Sequence, residues 1–134
     1  EALYGNLTLG NVTGKASLIG TVRIKDPKGG SWKYRKVVIL DNLFLVYKKR
    51  PKETSGPSKA YRLDDSTIRT LHETTYCGDP IIRIHSQSVS SKSQYNYIAP
   101  TQSEAGIWIE RLLRGANFWV LPMSPIKFQK VTHK

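Results

Sequence analysis

Basic residues at alternate positions in two neighbouring segments are the most informative feature of this 134-residue chain. Arg23 and Lys25 stand two positions apart, as do Lys33 and Arg35. Side chains two apart in a β-strand lie on one face, and adjacent antiparallel strands are about 4.8 Å apart. We therefore expect the four cations to converge at the mouth of one hairpin. There they would bind phosphate through charge-assisted hydrogen bonds.

The connection between these two segments is expected to supply further donors. Lys28, Gly29 and Gly30 lie at the expected tip of the hairpin. Glycines leave backbone N–H groups accessible, and such groups bind anions in turns. Because clustered like charges repel, an anionic ligand would offset the cost of this grouping. The alternative is that these cations form a solvated face of a basic protein.

The composition agrees with a polyanionic partner. The chain has 21 Lys and Arg against 10 Asp and Glu, a formal net charge of +11. That charge favours nucleic acid, anionic lipid or an acidic protein. Hydrophobic residues make up 39% of the chain, which excludes a disordered composition. No apolar run approaches the roughly 20 residues of a membrane-spanning helix, and the lone Cys77 fits a reducing cytosolic compartment.

The hydrophobic pattern predicts about seven antiparallel strands followed by one helix. Alternation and turn signals place the strands at residues 20–25, 32–40, 43–48, 60–63, 67–71, 81–84 and 94–99. A capping box of Thr101 and Glu104 is expected to open the helix, and Gly115 to end it as the C′ residue. Trp108 lies on the apolar stripe of this helix and is expected in the core.

This order of elements resembles the pleckstrin-homology (PH) domain family. The resemblance is carried by Trp32–Arg35, Val37–Leu40, Leu43–Lys48 and Tyr95–Pro100, with Trp108 as the tryptophan of the final helix. It implies a mainly β fold, a seven-stranded antiparallel β-sandwich or barrel capped by one C-terminal α-helix. The domain would span residues 20–115, between an N-terminal flank of residues 1–19 and a C-terminal flank of residues 116–134.

The resemblance also implies a binding site. Lys25, Lys33 and Arg35 match the basic pattern of members that bind phosphoinositides, and Tyr47 or Lys48 could add a hydroxyl or cationic contact. Arg23 and Lys28 would complete the set. The run from Lys48 to Lys52 would be attracted to an anionic leaflet. Its alternative is a mobile loop without a role in binding.

Three functions remain open at this point. The first is a non-catalytic module that binds phosphoinositide headgroups and brings its host signalling protein to membranes, as a cytoplasmic, peripherally associated protein. The second is a protein-interaction or regulatory PH domain, since the segment from Val37 to Lys48 looks like PH domains of Dbl-type Rho guanine-nucleotide exchange factors. Its partner would be a GTPase or an adjacent domain. Binding of single-stranded nucleic acid is the third, and the strand-and-helix order counts against it.

Catalysis and metal binding have no support in the sequence. His72, His85 and His133 show no metal-ligand spacing, and Cys77 has no partner at an informative distance. Motifs for nucleophilic catalysis, phosphate loops and paired carboxylates are missing as well. We therefore expect no enzyme activity, no metal and no cofactor.

Overall fold

Six antiparallel strands form a closed barrel in the computed structural model, which describes residues 6–25, 30–75, 77–88 and 93–116. Each strand pairs with the next, and β1 pairs with β6 to close the barrel. The mainly β class with one C-terminal helix is confirmed. The elements are α1 (Leu9–Val12), β1 (Leu18–Lys25), β2 (Lys33–Leu40), β3 (Leu43–Val46), β4 (Lys59–Thr74), β5 (Pro80–Ser88), β6 (Ser93–Ala99) and α2 (Ala105–Ala116).

The strand β4 combines two strands that the sequence predicted separately, at residues 60–63 and 67–71. Residues 59–62 pair with β3, residues 61, 62, 67–70 and 74 pair with β5, and the register with β5 shifts between Arg62 and Thr67. Asp65, inside this shift, has a left-handed backbone with a φ of 66°. Such irregularities bend a strand and increase its twist. One bent strand therefore takes the place of two short ones in this barrel.

Alternate residues of the strands fill the barrel interior. In β2, Val37 and Ile39 are fully buried inside, and in β3 Phe44 and Val46 face the same core. The remaining strands contribute in the same way, so that one apolar cluster runs through the barrel. Its other buried members are Val22, Tyr61, Leu63, Ile82, Ile84, Ile98, Trp108 and Leu112.

The helix α2 closes one end of the barrel. Trp108 is 2% exposed, which confirms its predicted place in the core, and it lies against Gly20 of β1. The helix begins at Ala105, later than the expected capping box, and Gly115 is inside it instead of beyond its C-terminus. A Cβ at Gly115 would come within 2.7 Å of the Leu63 side chain, so this glycine permits close packing of helix and strand.

A second apolar cluster lies outside the barrel. The short helix α1 sets Val12, 1% exposed, against Val38, Leu45 and Tyr47. This explains why β2 and β3 are apolar at consecutive positions: both faces of these strands are covered. Residues 6–17, within the predicted N-terminal flank, thus pack on the strands, while the predicted domain boundaries themselves stay a prediction.

Candidate ligand-binding site

A cleft of about 240 Å³ opens at the end of the barrel opposite α2. This end carries the connections that join β1 to β2, β3 to β4 and β5 to β6, as the strand order requires. Three cations contribute to its wall, together with polar and apolar side chains. The lining residues are Ile24, Gly30, Ser31, Lys33, Arg35, Val46, Ser58, Lys59 and Asn96.

Strand geometry turns Lys33 and Arg35 toward the interior. They share the alternation of Val37 and Ile39, whose side chains are buried inside the barrel. Lys33 pairs with Ile24 of β1, where the apolar core gives way to the polar mouth. The Arg35 guanidinium donates to the backbone carbonyl of Tyr34 at 2.8 Å. These two predicted residues are therefore brought together in one cleft.

The cleft is also lined by Ser58 and Lys59, which the sequence did not predict as site residues. Lys59 pairs with Val46 across β3 and β4 and shares the inward alternation of Tyr61. The Ser58 hydroxyl donates to the Val46 carbonyl at 3.0 Å, which fixes the end of the connection. Lys59 could have been predicted from its position two residues before Tyr61, since residues two apart in a strand share a face. The sequence did not show where the preceding loop ends, so Lys59 was not assigned to the strand.

Arg23 does not face the cleft. Val22 and Ile24 point into the barrel, so the residue between them points outward. The Arg23 guanidinium donates to the Asp79 carboxylate at 2.6 Å and to the Thr75 hydroxyl at 3.1 Å. The four cations expected to converge at the hairpin mouth therefore do not line one cleft together, because β1 and β2 present their basic residues to opposite faces.

Lys25 follows Arg23 on the outer face of β1. Its ammonium group lies 5.7 Å from the centroid of the Trp32 ring, in a cation–π contact. The side chain is at the rim of the hairpin and is not among the residues that line the cleft. Its part in headgroup binding stays a prediction. Lys28 lies outside the described residues.

Tyr47 is on the outer side of the barrel and not in the cleft. The residue is fully buried, and its hydroxyl donates to the Leu7 carbonyl at 2.7 Å. Burial raises the pKa of the Tyr47 hydroxyl to about 12. The Tyr47 hydroxyl was expected to contact a ligand, but in the structure it is buried and hydrogen-bonded to Leu7 of the N-terminal segment instead. Lys48, the next residue, is exposed and does not line the cleft.

The charge of the cleft is one-sided. Within the described residues its lining includes Lys33, Arg35 and Lys59 but no Asp or Glu. The acidic groups with resolved ion pairs lie elsewhere, for example Asp64, which accepts a hydrogen bond from Arg62 at 2.9 Å. That bond holds the pKa of the Asp64 carboxyl below its usual range. The cleft is therefore suited to an anion that brings several acceptor oxygens.

No protein-family model matches the chain, and a search of curated proteins finds no match. Solved structures with the same fold are numerous. The C-terminal PH domain of pleckstrin is 17% identical, with a TM-score of 0.58 over 76% of this chain and 97% of that one. The PH domain of Slm1 in complex with inositol-4-phosphate is 14% identical, with a TM-score of 0.56 over 73% and 93%. The chain has the pleckstrin-homology fold.

A structure of an activated truncation of Vav1 is also similar, at 14% identity and a TM-score of 0.59. The match covers 88% of this chain but only 34% of the Vav1 chain. Another Vav1 structure concerns inhibitors that block its GEF activity. At this identity the likeness establishes the fold alone.

Two further observations describe the PH fold of this chain. Among the described residues, no three His, Cys, Asp or Glu side chains are grouped closely enough to hold a metal ion. In the same part of the chain, no helix has the length and apolar character needed to cross a membrane. The cleft offers cationic and hydrogen-bonding groups of the kind that suit an anion.

Proposed function

We propose that the cleft binds the phosphorylated headgroup of a phosphoinositide and so brings the host signalling protein to a membrane. One observation carries the proposal: Lys33, Arg35 and Lys59 line a single cleft. Like charges held together destabilise the ligand-free protein, and an anion with several phosphate oxygens relieves that repulsion. The inositol-4-phosphate complex of a protein with the same fold supports this choice of ligand.

The proposal gives the host protein a cytoplasmic, peripheral position at the membrane. The headgroup would enter between the β1–β2 and β3–β4 connections, which contribute Gly30, Ser31 and Ser58 to the cleft. No catalytic step is part of this function. The module would act by recognition, and the activity of the host would come from other parts of its chain.

Sedimentation with vesicles tests the proposal directly. Vesicles of phosphatidylcholine carrying a phosphoinositide should pellet the wild-type protein, and the double variant Lys33→Ala/Arg35→Ala should lose most of that binding. The matched control is Lys36→Ala/Arg69→Ala, which removes the same net charge from residues that do not line the cleft. Equal binding by the wild type and the cleft variant would refute the proposed site.

A regulatory PH domain within a Rho guanine-nucleotide exchange factor is the second candidate. The Vav1 likeness favours it, because it covers 88% of this chain. In that case the cleft would have weak lipid specificity or none, and the partner would be a GTPase or an adjacent domain. Vesicle binding that is independent of phosphoinositide, together with a change in exchange rate when the domain is removed from its host, would support this candidate.

A further inference from the structure

Two buried polar groups at the mouth of the barrel lack hydrogen-bond partners among the described residues. They are the Nδ2 amide of Asn96 and the hydroxyl of Ser86. Asn96 is 5% exposed and Ser86 4%. A buried donor without a partner destabilises a fold, so most such groups in native proteins find one. An orphaned amide in a binding cleft therefore suggests a partner that arrives with the ligand.

Asn96 lines the cleft, whereas Ser86 does not. In β6, Ile98 is the next inward residue and belongs to the apolar core, and Asn96 pairs with Ile84 of β5. Asn96 is thus a polar side chain at the boundary where the core ends and the cleft begins. Its place on β6 puts it on a different strand from the cations of β2 and β4.

We propose that Asn96 is a second recognition point in the cleft, donating a hydrogen bond to a phosphate or hydroxyl oxygen of the ligand held by Lys33 and Arg35. This inference rests on the proposed function and specifies how the ligand is recognised. Charge alone would bind any anionic surface. A neutral donor at the inner end of the cleft requires an acceptor of defined position, which a phosphorylated polyol provides through its oxygens.

Replacing Asn96 by an apolar residue should therefore raise the stability of the ligand-free protein and lower its affinity for the ligand. Asn96→Leu keeps the branched shape and removes the unpartnered donor, so the ligand-free protein should melt about 3 °C higher. The same variant should bind a soluble inositol phosphate about tenfold more weakly, since a hydrogen bond to a charged group is lost. Asn96→Ala, which removes the amide without adding bulk, should show the same loss of affinity.

Ser86→Ala is the matched control. It removes an equally buried, unpartnered group from a position that does not line the cleft. We expect its melting temperature to rise while its affinity stays that of the wild type. Titration calorimetry with inositol 1,4,5-trisphosphate measures affinity, and thermal unfolding without ligand measures stability.

The outcomes separate this inference from the function on which it rests. If the wild type binds the soluble inositol phosphate and Lys33→Ala/Arg35→Ala does not, the cleft stands as the binding site. Unchanged affinity of Asn96→Leu and Asn96→Ala then overturns the role of Asn96 alone. A loss in Asn96→Leu without one in Asn96→Ala would point to steric blockage and would also overturn it. If the wild type binds neither the soluble compound nor phosphoinositide vesicles, the proposed function itself fails.

A parallel measurement identifies the source of the ligand. Vesicles with phosphatidylserine as the only anionic lipid present charge without an inositol ring, and Asn96→Leu should bind them as the wild type does. Phosphoinositide vesicles should show the tenfold loss if the ligand is a membrane headgroup. A loss seen with the free inositol phosphate but absent with these vesicles would assign the site to a soluble ligand and overturn its membrane role.

Discussion

The Arg23 guanidinium donates a hydrogen bond to the Asp79 carboxylate across 2.6 Å, on the outer face of β1. Only 12% of the arginine side chain and 24% of the aspartate side chain are exposed. The pair joins β1 to the connection that precedes β5, and the Thr75 hydroxyl accepts a second hydrogen bond from the same guanidinium. Arg23 therefore stabilises the barrel and does not face the cleft.

We expect Arg23→Met to lower the free energy of unfolding by about 1–3 kcal/mol, because a half-buried carboxylate loses its charged partner. Urea unfolding measures this change. Vesicle binding should fall no further than in Arg69→Met, which removes the same charge from an exposed position. A larger loss of phosphoinositide binding in Arg23→Met than in the control would contradict the structural role of this residue.

Gly115→Ala should destabilise the contact between α2 and the barrel. The new Cβ would meet the Leu63 side chain at 2.7 Å and the Asp41 carbonyl oxygen at 2.9 Å, both too close. Overpacking of this kind costs about 1–3 kcal/mol. Gly106 is the control in the same helix, since a Cβ there meets nothing within 4 Å. Gly106→Ala should raise stability by roughly 0.5–1 kcal/mol through helix propensity. Equal effects at both positions, measured by thermal unfolding, would refute the packing argument.

The sequence predicted the strands of the hairpin well but not the relation between their faces. Period two shows that Arg23 and Lys25 share a face, and likewise Lys33 and Arg35. It does not show which face is inside. The run from Val37 to Leu40 is apolar at every position, so it does not show which residues face the core. Both faces are apolar because α1 and residues near it cover the outer face of β2. In β1 the apolar residues Val22 and Ile24 face inward, so Arg23 and Lys25 face outward. In β2 the basic residues themselves share the inward alternation, so the two pairs of cations lie on opposite faces of the barrel wall.

Asn96 shows a different limit of sequence reasoning. It lies between Tyr95 and Tyr97, and aromatic residues at alternate positions favour an apolar inward face. The structure turns Asn96 and Ile98 inward instead. Tyr95 stacks on His85 on the outer face, with ring centroids 4.3 Å apart. Only the pairing of β6 with both β1 and β5 fixes this orientation, and such long-range pairing leaves no local signal.

We expect the protein to lose stability at alkaline pH because of the buried Tyr47 hydroxyl. Burial raises the pKa of this hydroxyl in the folded state to about 12, above the usual value of about 10 in the unfolded chain. The folded state then holds the proton more tightly. The stabilisation that the protonated Tyr47 hydroxyl gives to the folded state is fully present below pH 10 and is lost as the pH rises toward 12.

Tyr47→Phe should remove this part of the pH dependence, because phenylalanine has no proton to lose. At neutral pH the variant should also be about 1–2 kcal/mol less stable, since the Leu7 carbonyl loses its hydrogen bond. Tyr34→Phe, at a residue that is 65% exposed, should change neither quantity. Urea unfolding at neutral and alkaline pH checks both, and a wild-type slope in Tyr47→Phe would exclude Tyr47 as its cause.

The basic run from Lys48 to Lys52 should act at longer range than the cleft. Its lysines are exposed and do not line the cleft, so they would attract an anionic membrane without contacting the headgroup. We expect Lys48→Ala/Lys49→Ala/Lys52→Ala to weaken binding to phosphatidylserine vesicles at low salt by roughly fivefold per residue. The deficit should shrink as added salt screens the charges. Affinity for soluble inositol 1,4,5-trisphosphate should stay within about twofold of the wild type, because that ligand is held by contacts at the cleft. A salt-independent loss for the soluble compound would instead extend the binding site onto this run.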